Sequence, residues 1–563
     1  MLCRSRVGGQ AGRRYPAPVT TATGPSVRMH PLAAWAVLVF ASLGVLLGGA
    51  ELMVVAIALP SIVADFGGWA DLARVSWIVN AYLLAYVVAM PLAGRGADLW
   101  GARRLYVVAL LLFILGSAGA GVAAFAGPED GLSWLIAARV VQGFGGGALV
   151  PLSMALASHL FTGRSRAAAL GLEGAATYIG MAIGPAYGAW VLLNFNLPIR
   201  GLDLANWQWI FLLNVPIGIV TLLLIYVVAG GVETPRVRAP LDLFGALLLA
   251  LALVAGIGAV TVSGARGVTD PLVLGGAVVA VAASVAFVWF ERRSKAPLVD
   301  LRLFGDRAFA AANGVSLLTG YTLATAIIGG PVFVNRVLFG SDADASVVLT
   351  GLTLAVAVGA LVGGVASGFI GERIVSVAGV LLTAAGLWLA LGWGVDTRLD
   401  GLARDLAIYG VGFGLTVSPR ATAAVEAAGA GAYGVASAML QITRTIGMSI
   451  GLALLTSLGQ NRIDELSALI IDPPRRDALV VQLGRPEFVG VDPSTSLALV
   501  DLLEFWSRGE AAGVLRLVMT ISFGVAIVTL LPAWYVKARR SPRDEAGPSL
   551  RGRRRPRTRP SCG

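Results

Sequence analysis

Histidine, cysteine and charged residues are scarce in this chain of 563 residues. Its two cysteines, Cys3 and Cys562, lie near opposite ends, so the sequence indicates neither a structural disulfide nor a CxxC metal motif. The two histidines, His30 and His159, are too few for a zinc or iron site, which would then need carboxylates alone. We therefore expect no metal ion and no other cofactor.

The signatures of two enzyme classes are missing as well. No glycine is followed directly by lysine, which excludes the G-x-x-x-x-G-K-[ST] phosphate loop and with it an intrinsic ATPase. A lipid-modifying membrane enzyme would need paired acids or histidines at a membrane surface, and the acids of the longest connection, 458–512, are scattered. The chain is therefore not predicted to be an enzyme.

Charged residues make up only 13% of the chain, against roughly 25% in a soluble domain. Hydrophobic residues make up 57%, more than one water-soluble core can bury, because such cores stop growing at about 250–300 residues. The 72 glycines suit membrane helices, whose close packing depends on small residues. The composition thus predicts an all-α membrane protein.

Apolar segments long enough to cross a membrane, which takes about 20 residues, follow one another along the chain. We expect about fourteen membrane-spanning helices, because each span needs about 20 mostly apolar residues. They lie near 34–60, 75–93, 104–126, 132–158, 167–193, 208–229, 241–263, 271–290, 309–335, 346–370, 374–395, 405–426, 434–457 and 513–536. An even number of spans places both chain ends on the same side of the membrane.

The net charge of +11 is concentrated at the two ends of the chain. Segments rich in arginine next to membrane spans stay in the cytoplasm, so we expect a multi-pass protein of the plasma (inner) membrane with both termini cytoplasmic. The same charge favours contact with anionic lipid head groups over binding of nucleic acid. No secretory signal peptide is indicated, and either Met1 or Met29 fits as the start of translation.

A few charged residues lie within the predicted spans, where each costs about 2.5–3.5 kcal/mol. Glu51 has only apolar neighbours and no local cationic partner, which fits a proton carrier or, alternatively, a structural carboxylate facing a wet vestibule. Arg139 and Gln142 share a helix face and need an acceptor, either a carboxylate or a neighbouring helix. Arg444 needs an internal partner or a polar cavity. Glu173, nearer the cytoplasmic end, fits a solvated or structural role as well as a coupling role.

Polar residues also mark the cytoplasmic ends of several spans. Gly94 and Gly101 would allow a tight turn between spans two and three. Asp98 could cap a neighbouring helix or pair with an arginine, and such a contact would act as a latch if it broke when the helices moved. Arg420 and Glu426, near the end of span twelve, are expected to extend to the membrane interface.

Together these segments resemble the major facilitator superfamily, in particular its fourteen-span drug:proton antiporter family. GRGADLWGARR is similar to the family's first-loop motif, G-x-x-x-D-R-x-G-R-R, at Gly94, Asp98, Gly101 and Arg103. It departs from that motif at Leu99 and Ala102. GMAIGPAYGA is similar to the antiporter motif G-x-x-x-G-P-x-x-G-G at Gly180, Gly184, Pro185 and Gly188. RVVQGFGGGA matches the span-four pattern R-x-x-Q-G-x-G-x-A, and Glu51 replaces the aspartate of the family's span-one motif.

The resemblance implies the major facilitator fold, with two six-helix bundles and two inserted central helices. It implies proton coupling through Glu51, Arg139, Glu173 and Arg444, with the first-loop motif as a conformational latch. It gives no substrate-binding residues. The expected divisions are a basic tail at 1–30, an N-terminal bundle at 31–230, the insert and linker at 231–307, a C-terminal bundle at 308–537 and a basic tail at 538–563.

The implied function is proton-coupled export of amphipathic small molecules by alternating access, as in multidrug efflux. The alternative is a lipid or glycolipid exporter acting with a periplasmic lipoprotein, because WIVNAYLLAYVVAMPLAGR and RTIGMSIG resemble a mycobacterial-type branch associated with lipid and drug export. A uniporter or importer of the same fold is a third reading. The external connection 458–512 fits a surface loop, a cap over the exit or a solvated spacer.

Overall fold

The computed structural model describes residues 29–66, 77–195, 204–230, 232, 236–237 and 239–537, so the two basic tails lie almost entirely outside it. Within these ranges the chain forms seventeen α-helices, named α1 to α17 in chain order. They are Pro31–Asp65, Trp77–Trp100, Ala102–Gly121, Gly127–Leu160, Gly163–Asn194, Asn206–Leu212, Asn214–Val228, Leu243–Arg266, Pro271–Glu291, Arg307–Arg336, Asp342–Ile370, Glu372–Ala390, Leu399–Leu415, Val417–Ala428, Tyr433–Ile471, Pro473–Gln482 and Leu497–Tyr535.

Thirteen helical segments among the described residues are long and apolar enough to cross a membrane. They correspond to thirteen of the predicted spans, and α6 and α7 together form the sixth. The remaining span, predicted at 405–426, is divided into α13 and α14 at Thr416. Pro419 lacks the N–H that would bond to residue 415, which explains the interruption. The predicted all-α membrane fold is confirmed.

Glycine allows the helices of the N-terminal half, α1 to α7, to pack at close range. A side chain at Gly145 would overlap the backbone of α3 at Phe113, and one at Gly147 would overlap the backbone of α2 at Tyr86. Two neighbours therefore approach α4 more closely than larger residues would permit. This packing is what holds helices together in lipid, where burial of apolar surface gives little gain.

The N-terminal half meets the C-terminal half, α10 to α17, mainly near the helix ends predicted to be cytoplasmic, which we call the inner ends. Gly171 of α5 lies against Ala360 of α11. Ser418 of α14 donates a hydrogen bond to the Ala167 carbonyl at 2.6 Å. Towards the opposite, outer end of α5, Trp190 is half exposed. The structure is therefore closed at the inner ends.

Between the halves, the inserted helices α8 and α9 form a hairpin with largely exposed apolar surfaces, as expected of helices facing lipid. One side of α8 packs on α2 and α15 through Leu253, Tyr86 and Ile442. The hairpin thus covers the junction between α2 and α15 and leaves the junction between α5 and α11 uncovered.

The connection predicted at 458–512 is a folded extension of the C-terminal half. The helix α15 continues to Ile471, α16 follows, and α17 already begins at Leu497. An apolar cluster gives the extension a small core of its own, formed by Leu479, Val480, Leu499 and Leu503. The connection is therefore folded in the described residues, and its role as a surface loop, a cap or a solvated spacer stays a prediction.

Candidate functional site

Glu51 and Arg139 form an ion pair inside the N-terminal half. Both side chains are 1% exposed. Glu51 has no cationic partner nearby in the sequence, as predicted, because its partner lies on α4, 88 positions further along the chain. Of the two kinds of acceptor predicted for Arg139, the structure has the carboxylate. A buried carboxylate is stable in lipid only when a cation or several donors compensate its charge, and Arg139 supplies the cation.

Further polar groups complete this buried network. Asn214 of α7 donates to the second oxygen of Glu51 at 2.9 Å. Arg139 also donates to the Gln142 side chain at 2.6 Å and to the Ile78 carbonyl at 3.2 Å, and its guanidinium stacks 4.1 Å from the centre of the Tyr82 ring. The sequence analysis missed Asn214 and Tyr82. Asn214 was detectable as a polar residue inside an apolar run.

The antiporter-motif glycines hold α1 against α5 beside this network. A side chain at Gly180 would overlap the Leu46 carbonyl, and one at Gly184 would overlap the Ala50 carbonyl, one residue before Glu51. Gly188 continues the same contact next to Val54. The helix α5 runs on through Pro185 to Asn194. The motif therefore sets the position of the helix that carries Glu51.

A second polar group lies where the two halves meet. Glu173 of α5 is 1% exposed, so the solvated role considered for it is wrong. One carboxylate oxygen accepts from Ser42 of α1 at 3.1 Å. The other is buried without a hydrogen-bond partner among the described residues. Glu173 thus brings an incompletely bonded carboxylate to the interface.

Two arginines of the C-terminal half face the same interface. Arg444 of α15 donates to the Tyr178 hydroxyl at 3.1 Å, so its predicted internal partner is an aromatic residue of α5. Arg420 of α14 is 4% exposed and donates to the Thr319 hydroxyl at 2.7 Å. Extension of Arg420 to the membrane interface, as the sequence suggested, is therefore wrong.

Glu426, the other residue expected to extend outward, is held inside the inner end of the interface. Its carboxylate lies 3.6 Å from the Arg166 guanidinium of α5, and the two side chains are 15% and 8% exposed. Arg166 donates also to the Tyr433 hydroxyl at 3.1 Å. Both contacts cross from one half to the other and help to close the inner end.

A narrow cavity joins Glu173, Arg420 and Arg444. Helices of both halves line it, and half of its lining residues are polar or charged. The lining residues are Val150, Met154, Leu170, Glu173, Gly174, Thr177, Tyr178, Ser316, Val417, Arg420, Ala421, Leu440, Gln441 and Arg444. One acid from the N-terminal half therefore shares a cavity with two bases from the other half, so the distances between these charges depend on how far apart the halves are.

The first-loop motif connects the halves at the inner end. Asp98 caps α15, because its two carboxylate oxygens accept from the backbone N–H groups of Gly434 at 2.9 Å and Val435 at 3.1 Å. Gly94 belongs to α2 and not to the predicted turn, and its lack of a side chain lets α15 cross at Gly434. Gly101 alone makes the turn, with φ 96°.

Arg103 bonds within its own half, to the Gly230 carbonyl at 3.0 Å. A carboxylate at a helix N-terminus is favoured by the helix dipole, and the contact exists only while α2 and α15 are close. All four motif residues thus have a structural role at the inner end. Their action as a latch during transport stays a prediction.

Comparison with known proteins decides the family. Residues 41–452 match the model of the Major Facilitator Superfamily. The chain belongs to this superfamily. The match spans every residue of the two polar groups and of the latch, and it confirms the family proposed from the motifs.

Relatives of this superfamily member come from mycobacteria. A triacylglyceride transporter of Mycolicibacterium hassiacum is 36% identical over 445 residues, which cover 75% of this chain and 79% of that protein. A triacylglyceride transporter of Mycobacterium tuberculosis is 34% identical and is covered to 83%. The mycobacterial-type branch is thereby confirmed, and the chain resembles transporters, not enzymes.

Solved structures share the fold at low sequence identity. The proton:xylose symporter XylE aligns with a TM-score of 0.54 at 13% identity, covering 88% of this chain and 96% of that protein. The human organic anion transporter MFSD10 aligns with a TM-score of 0.56 at 16% identity, covering 88% and 100%. At these identities the likeness shows the major facilitator fold alone.

Proposed function

We propose that this chain is a secondary active transporter that moves a neutral or weakly polar lipid of the triacylglyceride class out of the plasma membrane, driven by proton entry. The names of the mycobacterial relatives support a lipid as the substrate, which was the alternative in the sequence analysis, over multidrug efflux. No ATP-binding loop is present in the sequence, so an ion gradient is the available energy source.

The observation that carries the coupling proposal is the placement of Glu173 in the cavity with Arg420 and Arg444 of the other half. In this proposal, ionised Glu173 is the counter-charge of the two arginines that line the same cavity. When a proton from outside neutralises Glu173, the two arginines are left in the cavity without a counter-charge. The halves then separate more readily at their inner ends, and alternation between two such packings is the transport cycle of this fold.

Glu51 and Arg139 form a second carboxylate–arginine pair, within the N-terminal half alone. Protonation of Glu51 breaks the pair and frees Arg139, which alters how α1 and α4 pack. Because α1 also carries Ser42, the donor to Glu173, a shift of α1 would change the hydrogen bonding of Glu173. The two carboxylates are thus proposed to act in sequence, and release of the proton on the inner side resets both.

The orientation belongs to the proposal as well. With both basic tails in the cytoplasm, the extension made by α15, α16 and α17 projects outward. It presents exposed apolar side chains, including Ile471, Leu497 and Phe505. These would suit transfer of a lipid to a periplasmic lipoprotein, the partner proposed here.

The test uses purified protein in proteoliposomes with an imposed pH gradient and a fluorescent triacylglyceride. Glu51→Gln and Glu173→Gln should each fold and still exchange lipid without a gradient, but lose gradient-driven transport. Asp130→Asn is the control, because Asp130 is an exposed carboxylate at the outer end of α4, the helix that carries Arg139. Undiminished gradient-driven transport in both glutamine variants would refute the coupling assignment.

The substrate class is tested separately in the same vesicles. A cationic dye and the labelled lipid are compared, each with and without the gradient. Faster gradient-driven movement of the dye, with no movement of the lipid, would replace the lipid proposal by the multidrug function. Lipid movement alone would support the proposal.

A further inference from the structure

The inserted hairpin α8–α9 is attached to the latch at its inner end. The segment that leads into α8 bonds to α2, the helix that carries Asp98. The Val237 N–H donates to the backbone carbonyl of Asp98 at 2.8 Å. The segment that leaves α9 packs beside α15, because Leu298 and Val299 belong to the same apolar cluster as Val435 of α15. The N–H of Val435 is one of the two donors to Asp98. The hairpin is therefore connected both to α2, which carries Asp98, and to α15, which Asp98 caps.

Two charged residues, one from α2 and one from α9, lie near this point. Leu92 of α2 and Phe287 of α9 belong to the same apolar cluster, and both helices run towards the inner end. One turn further along, α2 carries Arg95 and α9 carries Glu291. Arg95 also precedes Asp98 by three residues, which places the two on one helix face. Arg95 is thus flanked by Asp98 on its own helix and by Glu291 on the hairpin.

Both residues retain unused bonding capacity. The Arg95 Nε and one Glu291 oxygen are buried without a hydrogen-bond partner in the described part of the chain. The other Glu291 oxygen accepts from the Leu298 N–H at 3.2 Å, which ties down the loop that packs on Val435. Glu291 is 4% exposed. Burial of a carboxylate costs free energy, and ionisable residues buried in membrane proteins commonly serve a function.

We propose that Glu291 is a positioning residue of the latch, through which the inserted hairpin stabilises the inner-closed conformation. Beside Arg95 and Asp98, the hairpin brings two carboxylates, Glu291 and its neighbour Asp242, towards the N-terminus of α15. Glu291 therefore adds one negative charge there, which the positive end of the helix dipole favours. Its bond to Leu298 also holds apolar side chains against Val435. The inference rests on the proposed alternating-access cycle, but not on the substrate.

The experiment measures the conformational equilibrium directly, without lipid substrate. Spin labels are placed on Arg104→Cys and Ile374→Cys, at the inner ends of α3 and α12, after replacing Cys3 and Cys562 by serine. Pulsed electron resonance on the full chain in nanodiscs then gives the fraction of inner-open molecules. Glu291→Gln removes the charge and keeps an oxygen for Leu298, whereas Glu291→Ala removes both.

We expect Glu291→Gln to raise the ratio of inner-open to inner-closed molecules about three- to tenfold, as for loss of one helix-end charge interaction, and Glu291→Ala to raise it further. The control, Asp270→Asn, removes a capping carboxylate from the outer end of the same helix α9 and should leave the ratio unchanged. In an Asp98→Asn background, Glu291→Gln should have a much smaller effect, because the cap it supports is already weakened.

The proposal is overturned if Asp98→Asn opens the inner end while Glu291→Gln and Glu291→Ala do not, or if the two effects are fully additive. If Glu291→Gln fails to fold, Asp242→Asn replaces it. The Asp242 carboxylate adjoins Glu291, since a side chain at Gly245 would touch both. Asp242→Asn must then raise the ratio of inner-open to inner-closed molecules, as expected for Glu291→Gln. A failed transport assay with a normal shift would refute the lipid assignment alone.

Discussion

At the scale of single residues, the buried pair of Glu51 and Arg139 dominates the N-terminal half. Each side chain is a charge that the membrane interior disfavours, and each is tolerated because the other is present. Asn214, Gln142 and Tyr82 occupy the remaining bonding directions around the pair. The arrangement leaves Glu51 as a carboxylate whose neutralisation would have immediate structural consequences.

Removal of one member of this pair should cost more stability than removal of both. Arg139→Gln leaves the Glu51 carboxylate buried without a cation and should destabilise the protein by about 3–5 kcal/mol. The double variant Glu51→Gln, Arg139→Gln carries two neutral amides that can bond to each other, so part of the loss should be recovered. Thermal unfolding in detergent compares the unaltered protein, the single variants Glu51→Gln and Arg139→Gln, and the double variant. Losses that simply add would contradict direct coupling.

At the scale of helices, the inner end is closed by backbone contacts that only glycine permits. Gly94 of α2 and Gly434 of α15 approach so closely that a side chain on either would overlap the carbonyl of the other. Asp98, one turn after Gly94 in α2, caps the N-terminus of α15. The crossing and the cap therefore form or separate together.

A methyl group at Gly94 should therefore favour the inner-open form. Gly94→Ala introduces overlap with the Gly434 carbonyl only in the closed form, at a cost of about 1–3 kcal/mol. The inner-open fraction, read from the same pair of spin labels, should rise at least about fivefold. Gly258→Ala is the matched control, because a side chain there meets nothing within 4 Å. Equal behaviour of the two variants would show that the crossing does not limit opening.

At the scale of the whole molecule, the proposed orientation rests on charge, since basic tails tend to stay on the cytoplasmic side. In that orientation the extension of α15 to α17 would lie outside, opposite the latch. Both native cysteines lie in the tails, one in each, so the chain carries its own topology probes.

A membrane-impermeant maleimide should therefore label neither Cys3 nor Cys562 in right-side-out vesicles, and both after permeabilisation. The control places a single cysteine at Thr495, an exposed residue of the outer extension, with both native cysteines replaced by serine. That protein should be labelled in sealed vesicles. Labelling of either tail cysteine in sealed vesicles would reverse the proposed orientation.

The sequence by itself determined the fold class, the approximate spans and the family. These follow from composition and from motifs in which glycine, proline and rare charges recur at fixed spacing, and such local signals need no knowledge of neighbours. Capping of a neighbouring helix was one of the two roles predicted for Asp98, the other being a pair with an arginine, and the helix it caps was not identified.

Only the tertiary structure decided which charges meet. Arg139 reaches Glu51 across 88 positions, and Arg420, expected at the membrane interface, faces the central cavity. The rotation of a membrane helix about its axis is set by its packing partners, so hydropathy could not show which way these side chains point. The contact of the inserted hairpin with the latch depends on the same packing, and the residues concerned, Arg95 and Glu291, carry no motif of their own.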